Sequence, residues 1–88
     1  MIVKVRGILL RFTDYETDIQ VGCETVRDGL VKLIDRYPKL RDALMDREGS
    51  VRGAHFIALN GEQLTVGELD REVNDDDRVD IITAISGG

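Results

Sequence analysis

The sequence predicts an α+β domain in which one mixed sheet is covered on one face by one main helix. Three observations carry that reading. Short segments of alternating apolar residues flank a single segment with helical apolar spacing. An Asn60-Gly61 pair joins two of the later apolar runs, and both central residues of a type I′ hairpin turn need positive φ. The element order β-β-α-β-β-β leaves a last strand that must find a neighbour among the earlier ones.

Taken in order, Val3 and Val5 alternate with Lys4 and Arg6, which reads as a strand with one buried face. After Gly7 the parity slips, and Ile8, Leu10 and Phe12 become the alternating set. A glycine at such a slip predicts a bulge or bend within a continuing strand. Residues 13–16 are polar and turn-like, and Ile19 and Val21 point inward from a second strand. Together these segments predict an antiparallel hairpin with a short loop.

Thr25 opens the helix, with Asp28 three residues on in a variant of the capping box. Val26, Leu30, Leu33, Ile34 and Tyr37 share one helical face, and Pro38 ends the helix. Leu40, Ala43 and Leu44 suit one or two further helical turns, and residues 46–53 read as a charged loop. Residues 55–59 form the third strand and residues 62–64 a short fourth. Leu69 anchors the following turn. Residues 74–77 make an acidic turn before the last strand, in which Val79, Ile81, Thr83 and Ile85 alternate with Asp80, Ile82 and Ala84. A right-handed crossover then sets the last strand parallel to the first.

The 88 residues make one domain, 1–88, with 86–88 as a flexible tail. A chain of this size buries only about two-thirds of its unfolded surface, so it has little depth for an enclosed active site. The charge, 12 Lys+Arg against 17 Asp+Glu for a net of −5, argues against nucleic-acid binding and favours a basic partner protein. The single cysteine, Cys23, excludes an internal disulfide and a thiolate metal cage, and fits a reducing, cytoplasmic setting. The charged, interrupted start is not expected to be a signal peptide, and no run approaches the ~18 apolar residues that span a bilayer.

With this strand order and a final Gly87-Gly88, the sequence resembles the MoaD/ThiS family of ubiquitin-like sulfur carriers, whose fold is the β-grasp. The resemblance covers nearly the whole chain. It is carried by the capped helix at 25–37, Phe56-Ile57-Ala58-Leu59-Asn60-Gly61-Glu62, the acidic turn Asn74-Asp75-Asp76-Asp77-Arg78-Val79, and the end Ile82-Thr83-Ala84-Ile85-Ser86-Gly87-Gly88. The family usually has Gly-Asp before the last strand and prolines before the end. Here those places read Asp-Asp-Asp and Thr-Ala-Ile.

The resemblance implies a carrier and not an enzyme. A partner adenylating enzyme would use ATP to activate the Gly88 carboxylate, and sulfur would replace AMP to give a thiocarboxylate. A sulfur-accepting synthase subunit would then receive the sulfur. Gly88 and Gly87 are the working residues, because glycine leaves the carbonyl uncrowded and threads a narrow channel. Ile57, Leu59, Ile82, Ile85 and Ser86 are the expected partner contacts. The carrier itself binds no cofactor or metal, and no nucleic acid or membrane is expected as a partner. Chain length favours a molybdopterin-type acceptor. The alternatives are a protein modifier joined to lysines through Gly88, and a non-catalytic interaction subunit.

Other residues read more plainly. Cys23 lies before a helix N-terminus, where the dipole can lower a thiol pKa, but a small packed residue is the simpler reading. His55 lacks a sequence neighbour with which to act as a base. Asp75, Asp76 and Asp77 lack the alternation and distal Glu of a calcium loop. Phe12 and Tyr15 suit either packing or a contact patch.

Overall fold

The computed structural model describes residues 1–83. Five strands make one sheet: β1 (Ile2–Lys4), β2 (Asp18–Gln20), β3 (His55–Leu59), β4 (Glu62–Leu64) and β5 (Arg78–Thr83), in the spatial order β2-β1-β5-β3-β4. β1 pairs antiparallel with β2, Val3 opposite Ile19, and parallel with β5, Val3 opposite Val79. β5 also pairs antiparallel with β3, Ile57 opposite Ile81. The last strand therefore occupies the centre of the sheet with a neighbour on each side.

The main helix, α1 (Val26–Arg36), starts where expected. The Thr25 hydroxyl accepts from the Asp28 N–H at 3.0 Å, and the Asp28 carboxylate accepts from the Glu24 N–H at 3.2 Å. The N–H groups of Val26 and Arg27 donate to the carbonyls of Arg71 and Leu69. The free donors of the first turn are thus largely satisfied without water. Val26, Leu30, Leu33 and Ile34 are buried, and they meet the sheet face carrying Val3, Ile19, Ile57, Leu59, Val79 and Ile81. A short second helix, α2 (Leu40–Leu44), adds Leu40 and Leu44 to the same core, and a lone bridge between Met45 and Val51 closes the loop after it.

The expected continuation of the first strand through Ile8, Leu10 and Phe12 is not formed. Gly7 takes φ +65°, which turns the chain out of the sheet, and Gly7–Phe12 coils into a 3₁₀ helix. At three residues per turn, Leu9 and Phe12 share one side. Leu9 is fully buried and Phe12 packs against the core, while Ile8 is left 65% exposed. The antiparallel pairing of β1 and β2 holds, but the connection is this helix and the turn at Asp14 and Tyr15, both at positive φ. The hairpin expected at Asn60-Gly61 is present, with φ of +50° and +88°.

Candidate functional site

The site is built around the C-terminal end of β5. Thr83 is its last described residue and pairs with His55 of β3, whereas β1 pairs only with Arg78, Val79 and Asp80. Gly87, Gly88, Ile85 and Ser86 lie outside the described residues.

Side chains alternate across each strand, and the β3–β5 register sorts the expected contact residues into two sets. Phe56 stands opposite Ile82, and Ala58 opposite Asp80, on the outer face. Ile57 stands opposite Ile81, and Leu59 opposite Val79, on the face under α1. Ile57 and Leu59 are 3% and 5% exposed. They are core residues, and their expected role as partner contacts is corrected: α1 covers them, so no partner reaches them. Ile82 is 49% exposed and keeps its place on the surface, beside Phe56 at 38%. Phe56 was missed because grouping Ile57, Leu59 and Ile82 ignores strand pairing. The parity of the heavily apolar set in β3, set against that of Val79 and Ile81 in β5, carries the missing signal.

Two charges border this outer patch. Asp80 lies next to Ala58, and its Oδ1 is buried with no hydrogen-bond partner among the described residues. The Arg6 Nη2 is 3.7 Å away, close enough for charge attraction but not for a hydrogen bond. The patch is therefore apolar at the tail end and polar further back along β5.

Behind Thr83 the sheet is held by His55. Its Nδ1 lies 3.0 Å from the Thr83 Oγ1 and its Nε2 lies 2.8 Å from the Ala43 carbonyl oxygen. A carbonyl only accepts, so Nε2 carries the proton in this contact, and in the neutral ring Nδ1 accepts from the Thr83 hydroxyl. Ala43 belongs to the last turn of α2, where carbonyls lack helical partners. One buried imidazole thus satisfies a helix end and fastens Thr83 at the end of β5. This is the structural role expected for His55, made specific.

The remaining candidates carry no activated chemistry. Burial pushes the Cys23 thiol pKa up, opposite to the effect of a helix N-terminus. The acidic turn is a hydrogen-bonded knot. Asp77 Oδ1 accepts from the Asn60 side-chain amide at 2.9 Å, and its Oδ2 accepts from the Asn74 N–H at 2.8 Å. Asn60 Oδ1 in turn accepts from the Arg78 N–H at 2.9 Å. These bonds, Asn60 first, hold the Asp77 carboxyl below the usual aspartate range. No group of three or more potential ligands that could hold a metal ion occurs among the described residues. No helix among them is long and apolar enough to cross a membrane.

A mixed sheet with parallel outer-chain strands at its centre and one helix across one face defines a ubiquitin-like β-grasp protein. The ThiS family model matches residues 3–88, and the chain belongs to that family of ubiquitin-like sulfur carriers. A chain of the BexX/CysO complex of Amycolatopsis orientalis is similar over 99% of this chain and 98% of that one, with 25% identity and a TM-score of 0.84. Small archaeal modifier protein 1 from Methanosarcina acetivorans is similar over 99% of this chain and 94% of its own, with 26% identity and a TM-score of 0.82. CysO of Mycobacterium tuberculosis shares the fold at 24% identity, with a TM-score of 0.82 over 96% of this chain and 98% of its own. No curated protein matches the sequence.

Proposed function

We propose that this protein carries sulfur as a thiocarboxylate on Gly88. A partner enzyme binds ATP, and an oxygen of the Gly88 carboxylate attacks the α-phosphorus, releasing pyrophosphate and leaving an acyl adenylate. A sulfur nucleophile adds at the carbonyl carbon, the C–O bond to AMP breaks, and a C–S bond remains. The carrier contributes the reacting carbonyl and its delivery; the partner contributes ATP binding and catalytic side chains. The partner docks on the outer sheet face at Phe56 and Ile82, continuing through Ile85 and Ser86 into its channel. The setting is cytoplasmic, in keeping with a single unpaired cysteine.

The observation that supports this reading is the family match, which runs through Gly87-Gly88. The acceptor is a synthase subunit in cofactor or metabolite biosynthesis, and the molybdopterin-type acceptor favoured by chain length is the first to test. The likeness to a protein named small archaeal modifier protein favours a second reading, in which the same activated glycine is joined to protein lysines.

The deciding experiment incubates the full chain, and a chain ending at Gly87, with ATP, a sulfur source and a candidate activating enzyme. Intact mass is then measured. The full chain gains the mass of one oxygen-to-sulfur exchange and the shortened chain does not. One residue is ~3.3 Å of extended chain, well beyond the ~1 Å misplacement that already costs large factors in rate. Equal sulfur loading of both chains would rule out Gly88 as the working group. Conjugates of high mass without a thiocarboxylate would support the modifier reading.

A further inference from the structure

The charge of this chain is unevenly placed. Residues 38–54 hold four of the 12 Lys+Arg but only three of the 17 Asp+Glu. That segment is slightly basic within a chain of net charge −5. Among the described residues, ion pairs engage Lys4, Arg6, Arg27, Lys32 and Arg71. Arg41, Arg47 and Arg52 are in none of them, and all three line one half-open cleft of about 670 Å³. The cleft lies between the C-terminal half of α1, α2 and the loop after it.

Its floor is apolar. Ile34 and Met45 are nearly buried there, and Val31 stands 49% exposed on what is otherwise the wet side of α1. One wall is fixed in place. The Arg52 Nε donates to the Asp42 carbonyl oxygen at 2.9 Å, which holds the guanidinium at the rim. Two carboxylates, Asp42 and Asp46, also line the cleft against the three guanidinium groups, and Asp46 is occupied locally, its Oδ1 accepting from the Glu48 and Ser50 N–H groups at 2.9 and 3.0 Å.

We propose that this cleft binds a short acidic segment of a partner protein, in which carboxylates flank one branched aliphatic side chain. Guanidinium forks match carboxylates two bonds at a time. Val31, Ile34 and Met45 take the aliphatic group. No aromatic side chain lines the cleft to stack on a nucleobase. The overall negative charge disfavours an extended polyanion such as a nucleic acid or an anionic bilayer. The volume lies within the ~300–1,000 Å³ of ordinary ligand sites, so only a short segment enters. α1 covers the sheet face opposite to Phe56 and Ile82. A partner here and a partner on the outer face therefore bind the carrier at the same time.

The test titrates the ¹⁵N-labelled full chain with a terminally blocked Asp-Glu-Leu-Asp-Glu peptide and follows amide shifts. Controls are the Asn-Gln-Leu-Asn-Gln peptide, inorganic phosphate and AMP. The expected result is a saturable shift at Val31, Ile34 and residues 41–52, weakened by salt and absent with the amide peptide. The double variant Arg41→Gln/Arg47→Gln should bind about fivefold more weakly with unchanged melting, because both side chains are exposed. The proposal is overturned by no saturable shift at ~10 mM peptide, a concentration well above a millimolar Kd. It is equally overturned by an equal response to the amide peptide, by phosphate or AMP producing the same shifts, or by shifts centred on Phe56 and Ile82. Equal binding by the double variant, or self-association of the free chain through this cleft, would also overturn it.

Discussion

Replacing His55 by Phe keeps an aromatic ring of similar volume in β3 and removes both ring nitrogens. The Ala43 carbonyl then loses its 2.8 Å donor, and the Thr83 hydroxyl loses its 3.0 Å partner. The two losses are unequal. Thr83 is half-buried and can turn its hydroxyl to water, so that bond is worth about 0.5–1.5 kcal/mol. The Ala43 carbonyl is half-buried against a ring only 9% exposed, and an acceptor left there without its partner costs about 1–3 kcal/mol. His55→Phe should therefore destabilise by about 2–4 kcal/mol. At about 4–8 °C per kcal/mol for a domain of this size, the melting temperature should fall by roughly 10–30 °C. Thr83→Val removes only the hydroxyl and should cost about 1 kcal/mol. Urea unfolding of the wild type, both single variants and the double variant measures the coupling. A coupling energy of about 0.5–1.5 kcal/mol is expected for residues in direct contact. A His55→Phe chain within 0.5 kcal/mol of wild type (about the scatter for neutral surface changes) would refute the argument. So would strict additivity with Thr83→Val.

Leu33→Ala should cost about 2–5 kcal/mol, because Leu33 is fully buried against the sheet, whereas Val31→Ala on the same helix should cost well under 1 kcal/mol; denaturant midpoints check both. The Asp77 carboxyl is held below its ordinary pKa by Asn60 and Asn74, so its contribution is complete above the unfolded aspartate pKa and is lost as pH falls through the lower folded value. The melting difference between wild type and Asp77→Asn should accordingly shrink on acidification from neutral pH, and a difference that grows would contradict the assignment. Ile82→Asp should leave the melting temperature nearly unchanged, since the side chain is half exposed, but raise the Kd for an activating partner about tenfold or more if the outer face is the docking surface; calorimetric titration against the partner reads this directly.

What the sequence disclosed depended on how local the cause was. The α1 cap, the Asn60-Gly61 turn and the stop at Pro38 are set by residues within a few positions of one another, and each is where the pattern puts it. The parallel pairing of β1 and β5 is not local, yet it was legible, because a last strand in this element order has few places to go once crossover handedness is respected. Gly7 marks the limit of that reasoning. A parity slip at glycine fits a bulge and a strand end equally well; the structure takes the second, and the 3₁₀ turn that follows buries Leu9 and leaves Ile8 exposed. The exposed pair Phe56 and Ile82 fails to show for a related reason. Alternation says that Phe56 and Ile57 point to opposite sides, but not which side α1 covers, and the choice rests on a helix roughly twenty to thirty residues away in sequence. His55 is the clearest case of information held only in three dimensions. Its partners, Ala43 and Thr83, lie 12 and 28 positions from it, and neither has any local mark that it will meet an imidazole. A lone histidine at the start of a strand is unremarkable in one dimension, but in the fold it joins the end of α2 to the last described residue of β5.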